Sequence, residues 1–277
     1  MSHHHARHSA SERDEGGSSG VLNDGECLVV LTDSLYLPGT RRLLESWRIH
    51  NPPLPIIALS PDTEALSDPF LVEHCHRCIA IDPIPYADIR PYKKRRSRQH
   101  AQTFFKFEAF GDFGFERNVF LDSDILCLKE VPALLEPGAV PLRAVTDTGF
   151  RKTRAYTGHP IEINSGVLSI SRAIQGPATI ARLHDIARTH PGRGGYDAGD
   201  QGILNKWIHA DGIDVELLSP EYNLIKKNYA DTEGLNDCRL LHYAGHKPWL
   251  GQRRHDSPNP AAEILEQLWH SGRLELP

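Results

Sequence analysis

Between Cys27 and Asp82 apolar runs alternate with stretches of helical periodicity, and that alternation restricts the fold more than any other feature of the chain. Residues 27–32 (CLVVLT) read as a strand. Residues 38–50 read as a helix with Leu43, Leu44 and Trp47 on one face and Pro38 in the first turn, where no backbone N–H is needed. A strand over residues 54–60 follows, then a partly helical stretch over 62–74 interrupted near Pro69, then a short strand over 77–82 (RCIAID). A β-α-β-α-β series implies a parallel sheet with helices on both faces and right-handed crossovers.

A second feature says where such a sheet would be used. Residues 119–128 (VFLDSDILCL) form an apolar run that stops at Asp122-Ser123-Asp124 and resumes. An apolar run bounded by polar residues reads as a strand covered on both faces, so these carboxylates would emerge where a central parallel strand ends. Ligands of open α/β sheets bind at that edge. Residues two apart in an extended segment point the same way, so Asp122 and Asp124 can both reach one hard divalent cation and leave places for water and phosphate oxygens. Asp also ends strands and caps helices with no ligand at all, so the motif alone does not decide.

The rest of the chain continues the pattern. The only basic run, Lys93-Lys94-Arg95-Arg96-Ser97-Arg98, precedes the Asp-Ser-Asp strand and can serve a diphosphate or simply be a solvated loop. A helical segment over 99–110 sets Lys106 between Phe105 and Phe107, an arrangement that buries the stem and aims the ammonium inward. Strands are expected over 142–147 and 163–171, the latter entered through Asn164-Ser165-Gly166, with an irregular loop over 150–160 between them. Helices are expected over 177–190 and from Asp200, which can be the N-cap of the second, with a Gly-rich loop between them. Late strands over 213–218 and 239–242 and a closing amphipathic helix over 260–271 complete the series. His74-Cys75-His76-Arg77-Cys78 holds one Cys-x-x-Cys without a second pair at finger spacing, so it reads as a strand entrance and not a zinc site.

Composition narrows the function. The 277 residues suffice for one large α/β domain or two small ones, and no repeat or clear linker follows residue 25. We therefore expect a disordered tail over 1–25, which lacks apolar periodicity, and one catalytic domain over 26–277. A net charge of −5 and a pI near 6.3 argue against nucleic acid as a partner. No apolar run is long enough for a transmembrane segment and no secretory leader is visible, so a cytoplasmic location is expected. The five cysteines are odd in number and suit reduced thiols better than a disulfide framework.

Four segments together resemble family 8 glycosyltransferases, and glycogenin-type members in particular. They are Asp122-Ser123-Asp124, Asn164-Ser165-Gly166, Asp200-Gln201-Gly202-Ile203-Leu204-Asn205, and His242-Tyr243-Ala244-Gly245-His246-Lys247-Pro248-Trp249. They occur in the family's order, and the last is the most specific. The resemblance, covering about Cys27 to Trp249, implies a single Rossmann-like GT-A domain with a mostly parallel sheet flanked by helices. It also implies a retaining enzyme that takes a hexose from a nucleotide sugar, usually UDP-linked glucose or galactose, with Mn2+.

Carried onto this chain, the resemblance makes Asp122, Asp124 and His242 the metal ligands. Lys106 and Lys247 would meet the diphosphate and donor sugar, with Ser123 and Gly245 in the same donor-binding motifs. Leu31, Thr32 and Tyr36 would hold base and ribose, the tyrosine by stacking on uracil, and Arg96 or Arg98 falls near a family arginine. Asn164, Ser165, Asp200 and Gln201 would line the donor sugar, with Asn164, Asp200 and Gln201 the catalytic set. The acceptor it implies is a carbohydrate, glycoconjugate or small molecule. The chemistry agrees: a nucleoside diphosphate leaves only when its developing charge is neutralised, and oxygen and imidazole ligands suit Mn2+ while also admitting Mg2+. A self-glycosylating primer protein and a metal-dependent nucleotidyl transferase are the alternative readings, and the oligomeric state is open.

Overall fold

The first strand, β1 (Glu26–Leu31), has Cys27, Leu28, Val29 and Val30 wholly withdrawn from solvent. A computed structural model of the chain describes residues 25–89, 102–147, 158–159, 161–189, 196, 199–227, 229, 231–245, 247–250 and 260–272. The expected tail, apart from Gly25, lies outside the described residues, as do the basic run with Arg96 and Arg98 and most of the loops expected over 150–160 and 191–199.

Local sequence explains the elements in turn. In α1 (Leu37–His50) a proline occupies the first turn, and Leu43, Leu44 and Trp47 form the fully buried stripe. After β2 (Ile56–Ser60) come two short helices, α2 (Thr63–Leu66) and α3 (Pro69–His74), separated at the proline as the sequence implies. Asp62 and Asp68 cap them by accepting from backbone N–H groups. β3 (Arg77–Ala80) closes the series, with Cys78 exposed on it. The helical segment bearing Lys106 is a 3-10 helix, Gln102–Phe110. Its three-residue turn stacks the fully buried Phe104, Phe107 and Phe110 along one edge.

The remaining elements are β4 (Arg117–Leu121), β5 (Ile125–Cys127), α4 (Pro132–Leu135), β6 (Leu142–Thr146), β7 (Ile163–Ser171), α5 (Pro177–Thr189), α6 (Asp200–Asp211), β8 (Val215–Leu218), β9 (Leu224–Ile225), β10 (Leu240–His242) and α7 (Pro260–Ser271). Seven strands form the main sheet in the order β3-β2-β1-β4-β7-β6-β8. All its pairings are parallel except those of β7, which runs antiparallel to both β4 and β6. β4 is therefore not flanked by parallel strands on both sides, as the sequence reading supposed. Hydrophobic pattern reports burial but not strand direction.

Alternate residues of the central strands feed two cores. Leu28, Val30, Val119 and Leu121 pack with the α1 stripe, while Val29, Phe120, Leu168 and Ile170 pack with Phe107, Leu183, Ile203, Leu204 and Trp207. Helices thus cover both faces. Each fully buried Leu or Phe side chain contributes roughly 1.5–3 kcal/mol relative to exposure.

A small second sheet, β5-β10-β9, sits at the C-terminal end of β4. β10 pairs antiparallel with β5, setting His242 opposite Ile125, and parallel with β9. Leu241, Tyr243, Leu265, Leu268 and Trp269 form the apolar cluster that ties this sheet to α7. Among the described residues no helix is long and apolar enough to cross a membrane.

Candidate active site

Asp122, Ser123 and Asp124 form a tight turn between β4 and β5, closed by the Ile125 N–H donating to the Asp122 carbonyl at 3.1 Å. The expected extended Asp-x-Asp is thus corrected: the chain reverses here because β5 leaves the main sheet to pair with β10. The carboxylates still converge, by the turn and not by the pleat. Asp122 N–H donates to the Gly166 carbonyl at 2.9 Å, and the Ser123 hydroxyl donates to the Leu31 carbonyl and accepts from Thr40 at 3.0 Å. Ser123 therefore spends its hydroxyl on pinning the turn to β1 and α1.

The β5–β10 register delivers His242 to this turn across more than a hundred residues of sequence. Its Nε2 lies 3.3 Å from Asp124 Oδ1 and 3.8 Å from Asp122 Oδ2. Among the described residues, Asp122, Asp124 and His242 are the one trio whose ligand atoms all lie within 4.8 Å of one another. Two carboxylate oxygens and an imidazole nitrogen are a donor set that divalent Mn2+ accepts. The backbone makes room for it: a Cβ on Gly166 would fall 2.5 Å from His242 Cε1 and 2.9 Å from Asp122 Oδ2. A glycine on β7 is what lets that strand run beside the trio.

Cations neutralise the turn from two sides. Lys106 Nζ lies 2.9 Å from Asp122 Oδ1, 3.0 Å from Asp200 Oδ2 and 3.1 Å from Ser165 Oγ. Lys247 is paired with Asp124 and donates to the Tyr243 carbonyl at 3.0 Å. Burial raises the Asp124 carboxyl, but the Lys247 ammonium and His242 outweigh it and hold the group well below the usual carboxylate range. In Asp122 burial prevails over Lys106 and the carboxyl is raised. Asp200 is lowered: burial pushes it up, but Lys106 and the Ser165 hydroxyl prevail.

Asp200 occupies the first helical position of α6, and the cap position belongs to Gly199. The capping role considered for Asp200 is corrected accordingly, since its carboxylate faces Ser165 Oγ at 2.7 Å and Lys106. Gln201 and Asn164 are joined to each other, Asn164 Nδ2 donating to Gln201 Oε1 at 3.0 Å. Sequence reasoning missed Asn223, buried in the 3-10 turn Pro220–Asn223, whose Oδ1 lies 2.9 Å from His242 Nδ1. It also missed Asp147, which accepts from Gln201 Nε2 at 2.9 Å. Neither stands in a motif whose spacing could flag it.

A cleft of about 210 Å³ opens against the turn, lined by Leu31, Thr32 and Tyr36 together with Lys106, Asp122, Asp124 and Lys247. Lys247 Nζ lies 5.8 Å above the Tyr36 ring, and Trp249 meets that ring edge-on while its indole N–H donates to the Leu35 carbonyl at 3.0 Å. Gly245, at φ 96°, takes the left-handed turn that lets the segment after β10 bend back over the cleft. The cleft thus sets an aromatic ring beside charged groups. That combination suits a nucleoside diphosphate.

Comparison with known proteins agrees with this geometry. No curated protein matches the chain at a significant level. Solved structures of similar fold include the galactosyltransferase LgtC in complex with donor and acceptor sugar analogs, at 17% identity, covering 91% of this chain and 97% of that one with a TM-score of 0.62. They also include the apo-form glycosyltransferase GlyE in Streptococcus pneumoniae TIGR4, at 22% identity, covering 90% of this chain and 60% of that one with a TM-score of 0.59. The bifunctional WbbM apo structure is similar at 18% identity, covering 84% and 48% with a TM-score of 0.56. These likenesses are of fold, and the fold is GT-A, with a mostly parallel central sheet flanked by helices. The family described as Glycosyl transferase family 8 matches residues 27–253, a span that begins one residue into β1 and takes in every later strand described above, and the chain belongs to that family.

Proposed function

We propose that this glycosyltransferase moves a hexose from a UDP-linked glucose or galactose to the hydroxyl of a separate acceptor, with retention at the anomeric carbon and with Mn2+ as cofactor. The observation that carries the reading is the meeting of Asp122, Asp124 and His242 beside a cleft that the two carboxylates line together with Tyr36. These three side chains would hold the ion, with Mg2+ as a substitute. When bound, the ion supplies Lewis-acid neutralisation of a leaving diphosphate.

The chain's own residues account for the rest. Tyr36 offers its ring to uracil, and Leu31 and Thr32 lie beside it to receive base and ribose. Lys247 exchanges its Asp124 partner for phosphate oxygens, adding a point charge where the leaving group develops its own. Asp200 is ionised at neutral pH and directs negative potential toward the donor sugar. With Oδ2 accepting from Ser165 and Lys106, the Asp200 carboxylate is fixed in place as a stabiliser of positive charge developing at the anomeric carbon. Ser165 and Lys106 hold it there, while Asn164 and Gln201, bonded to each other and next in sequence to Ser165 and Asp200, are assigned to the donor sugar with it.

Self-glycosylation is disfavoured by burial. Tyr222 and Tyr229, the first two tyrosines after the Asp-Gln helix, are 7% and 3% exposed, and Tyr229 packs edge-on against Tyr243. Burial of these rings favours an acceptor other than the chain's own tyrosines. The five free thiols suit a reducing, cytoplasmic setting. A screen of nucleotide sugars for Mn2+-dependent release of the nucleotide tests the assignment. Turnover of a UDP-hexose with a new glycoside in the small-molecule fraction supports it, and turnover of a nucleoside triphosphate with no sugar donor overturns it.

A further inference from the structure

A chain of side-chain amides runs behind the metal trio, and its polarity is set by one backbone group. The Gly166 N–H donates to Asn164 Oδ1 at 2.9 Å, which identifies that atom as the oxygen because a peptide N–H can only donate. Asn223 shares the same oxygen at 2.8 Å and must therefore present its Nδ2 to it. Its remaining atom, Oδ1, is then the one that faces His242 Nδ1 at 2.9 Å. An oxygen there accepts, so Nδ1 has to carry a proton. On the other side of Asn164, Nδ2 donates to Gln201 Oε1 at 3.0 Å and Gln201 Nε2 donates to Asp147 Oδ2 at 2.9 Å, so every amide is used consistently. Reversing any one of them would set donor against donor or acceptor against acceptor in a region where Asn223 is 3% and Asp147 4% exposed.

We propose that Asn223 is a positioning residue: it holds the proton on His242 Nδ1, leaving Nε2, which faces Asp122 and Asp124, as the only nitrogen able to give a lone pair to a divalent cation. Asn223 donates to the Asn164 oxygen and accepts from the imidazole N–H, and it is the acceptor oxygen that fixes the tautomer. Such outer partners fix the ring orientation of ligating histidines, and their loss typically costs about 10- to 100-fold in metal affinity. The assignment rests on the reading of His242 as a ligand. It also gives Asn164 and Gln201 a second task, ordering the amide line from Asp147.

Two measurements on the full chain test it. In protein labelled with 15N histidine, the His242 resonances are identified as those missing from His242→Ala, and the Nδ1 shift reports whether that nitrogen carries a proton. A protonated Nδ1, with and without Mg2+ and UDP, is expected, and a bare Nδ1 overturns the proposal. In parallel, Mn2+ is titrated in the presence of UDP. Asn223→Leu, which keeps the volume and removes the acceptor, is expected to bind Mn2+ about 10- to 100-fold more weakly than wild type. Asn223→Asp, which restores an acceptor for Nδ1–H while losing the bond to Asn164, is expected to recover most of that loss.

Wild-type affinity in Asn223→Leu, or an aspartate variant as weak as the leucine one, overturns it. If Asn223→Leu fails to fold, the wild-type Nδ1 shift and the aspartate variant still decide. Failure of wild type to bind Mn2+ at all would refute the metal reading of His242 separately, while the Nδ1 shift continues to judge the amide chain.

Discussion

Lys106 Nζ lies 3.0 Å from Asp200 Oδ2, both side chains more than nine-tenths withdrawn from solvent, and the same ammonium lies 2.9 Å from Asp122. One cation therefore serves a proposed metal ligand and the carboxylate proposed to face the sugar. Lys106→Met would leave two carboxylates short of their counter-charge in a poorly solvated place, and breaking such a pair costs about 3–5 kcal/mol. Urea denaturation of the variant measures it. A loss under about 1 kcal/mol, the size of a surface pair, would show that water reaches the lysine freely.

Asp200 is predicted to matter for turnover more than for donor binding. With the cap position occupied by Gly199, Asp200→Asn removes charge without removing a cap. Turnover should fall by roughly 10²-fold, the scale of losing one preorganised electrostatic contact, with UDP affinity nearly unchanged. Steady-state kinetics with a nucleotide-binding titration separate the two. An unchanged rate removes Asp200 from the catalytic set.

The same residue gives a pH dependence of stability. In the folded chain its carboxyl titrates below the ordinary 3.8: burial raises it, but Lys106 and Ser165 outweigh burial. Its stabilising contribution is therefore complete above 3.8 and is lost as pH falls through the lower folded-state value. Wild type should exceed Asp200→Asn in stability near neutrality, with the gap closing only in acid below 3.8. A gap that persists undiminished there would contradict the assignment.

Gly166→Ala should damage the trio while sparing the fold. The added methyl would meet His242 Cε1 and Asp122 Oδ2, and β7 cannot withdraw because it is paired to β4 and β6. We expect Mn2+ binding in the presence of UDP to weaken by about tenfold or more while the far-ultraviolet circular dichroism stays native.

The thiols should report burial directly. Burial pushes Cys27, Cys127 and Cys238 up to about 12, so they stay protonated and unreactive near neutrality. Cys78, exposed on β3, should take a thiol reagent first, and those three only after unfolding. Rapid native labelling of Cys127 would place β5 at the surface.

Much of this was legible in the chain. The β1 to β3 series, the proline break before α3 and the closing helix announce themselves through periodicity and punctuation. The direction of β7 did not, because burial is the same for parallel and antiparallel neighbours. The Asp122–Asp124 turn was read as extended because nothing local says that β5 leaves the sheet. That departure depends on β10 and β9, three and two residues long, too short to show any period. Asn223 was invisible for a related reason: its partners His242 and Asn164 are distant in sequence, and an asparagine in a turn looks ordinary.

Calorimetric titration of Mn2+ with UDP into wild type, Asp122→Ala, Asp124→Ala and His242→Ala tests most directly whether the trio is one metal site. The account predicts metal-dependent nucleotide binding in wild type, weakened in each variant, with all four proteins folded. Wild-type affinity in His242→Ala would contradict it, because the β5–β10 pairing would then bring the imidazole to the carboxylates for packing alone.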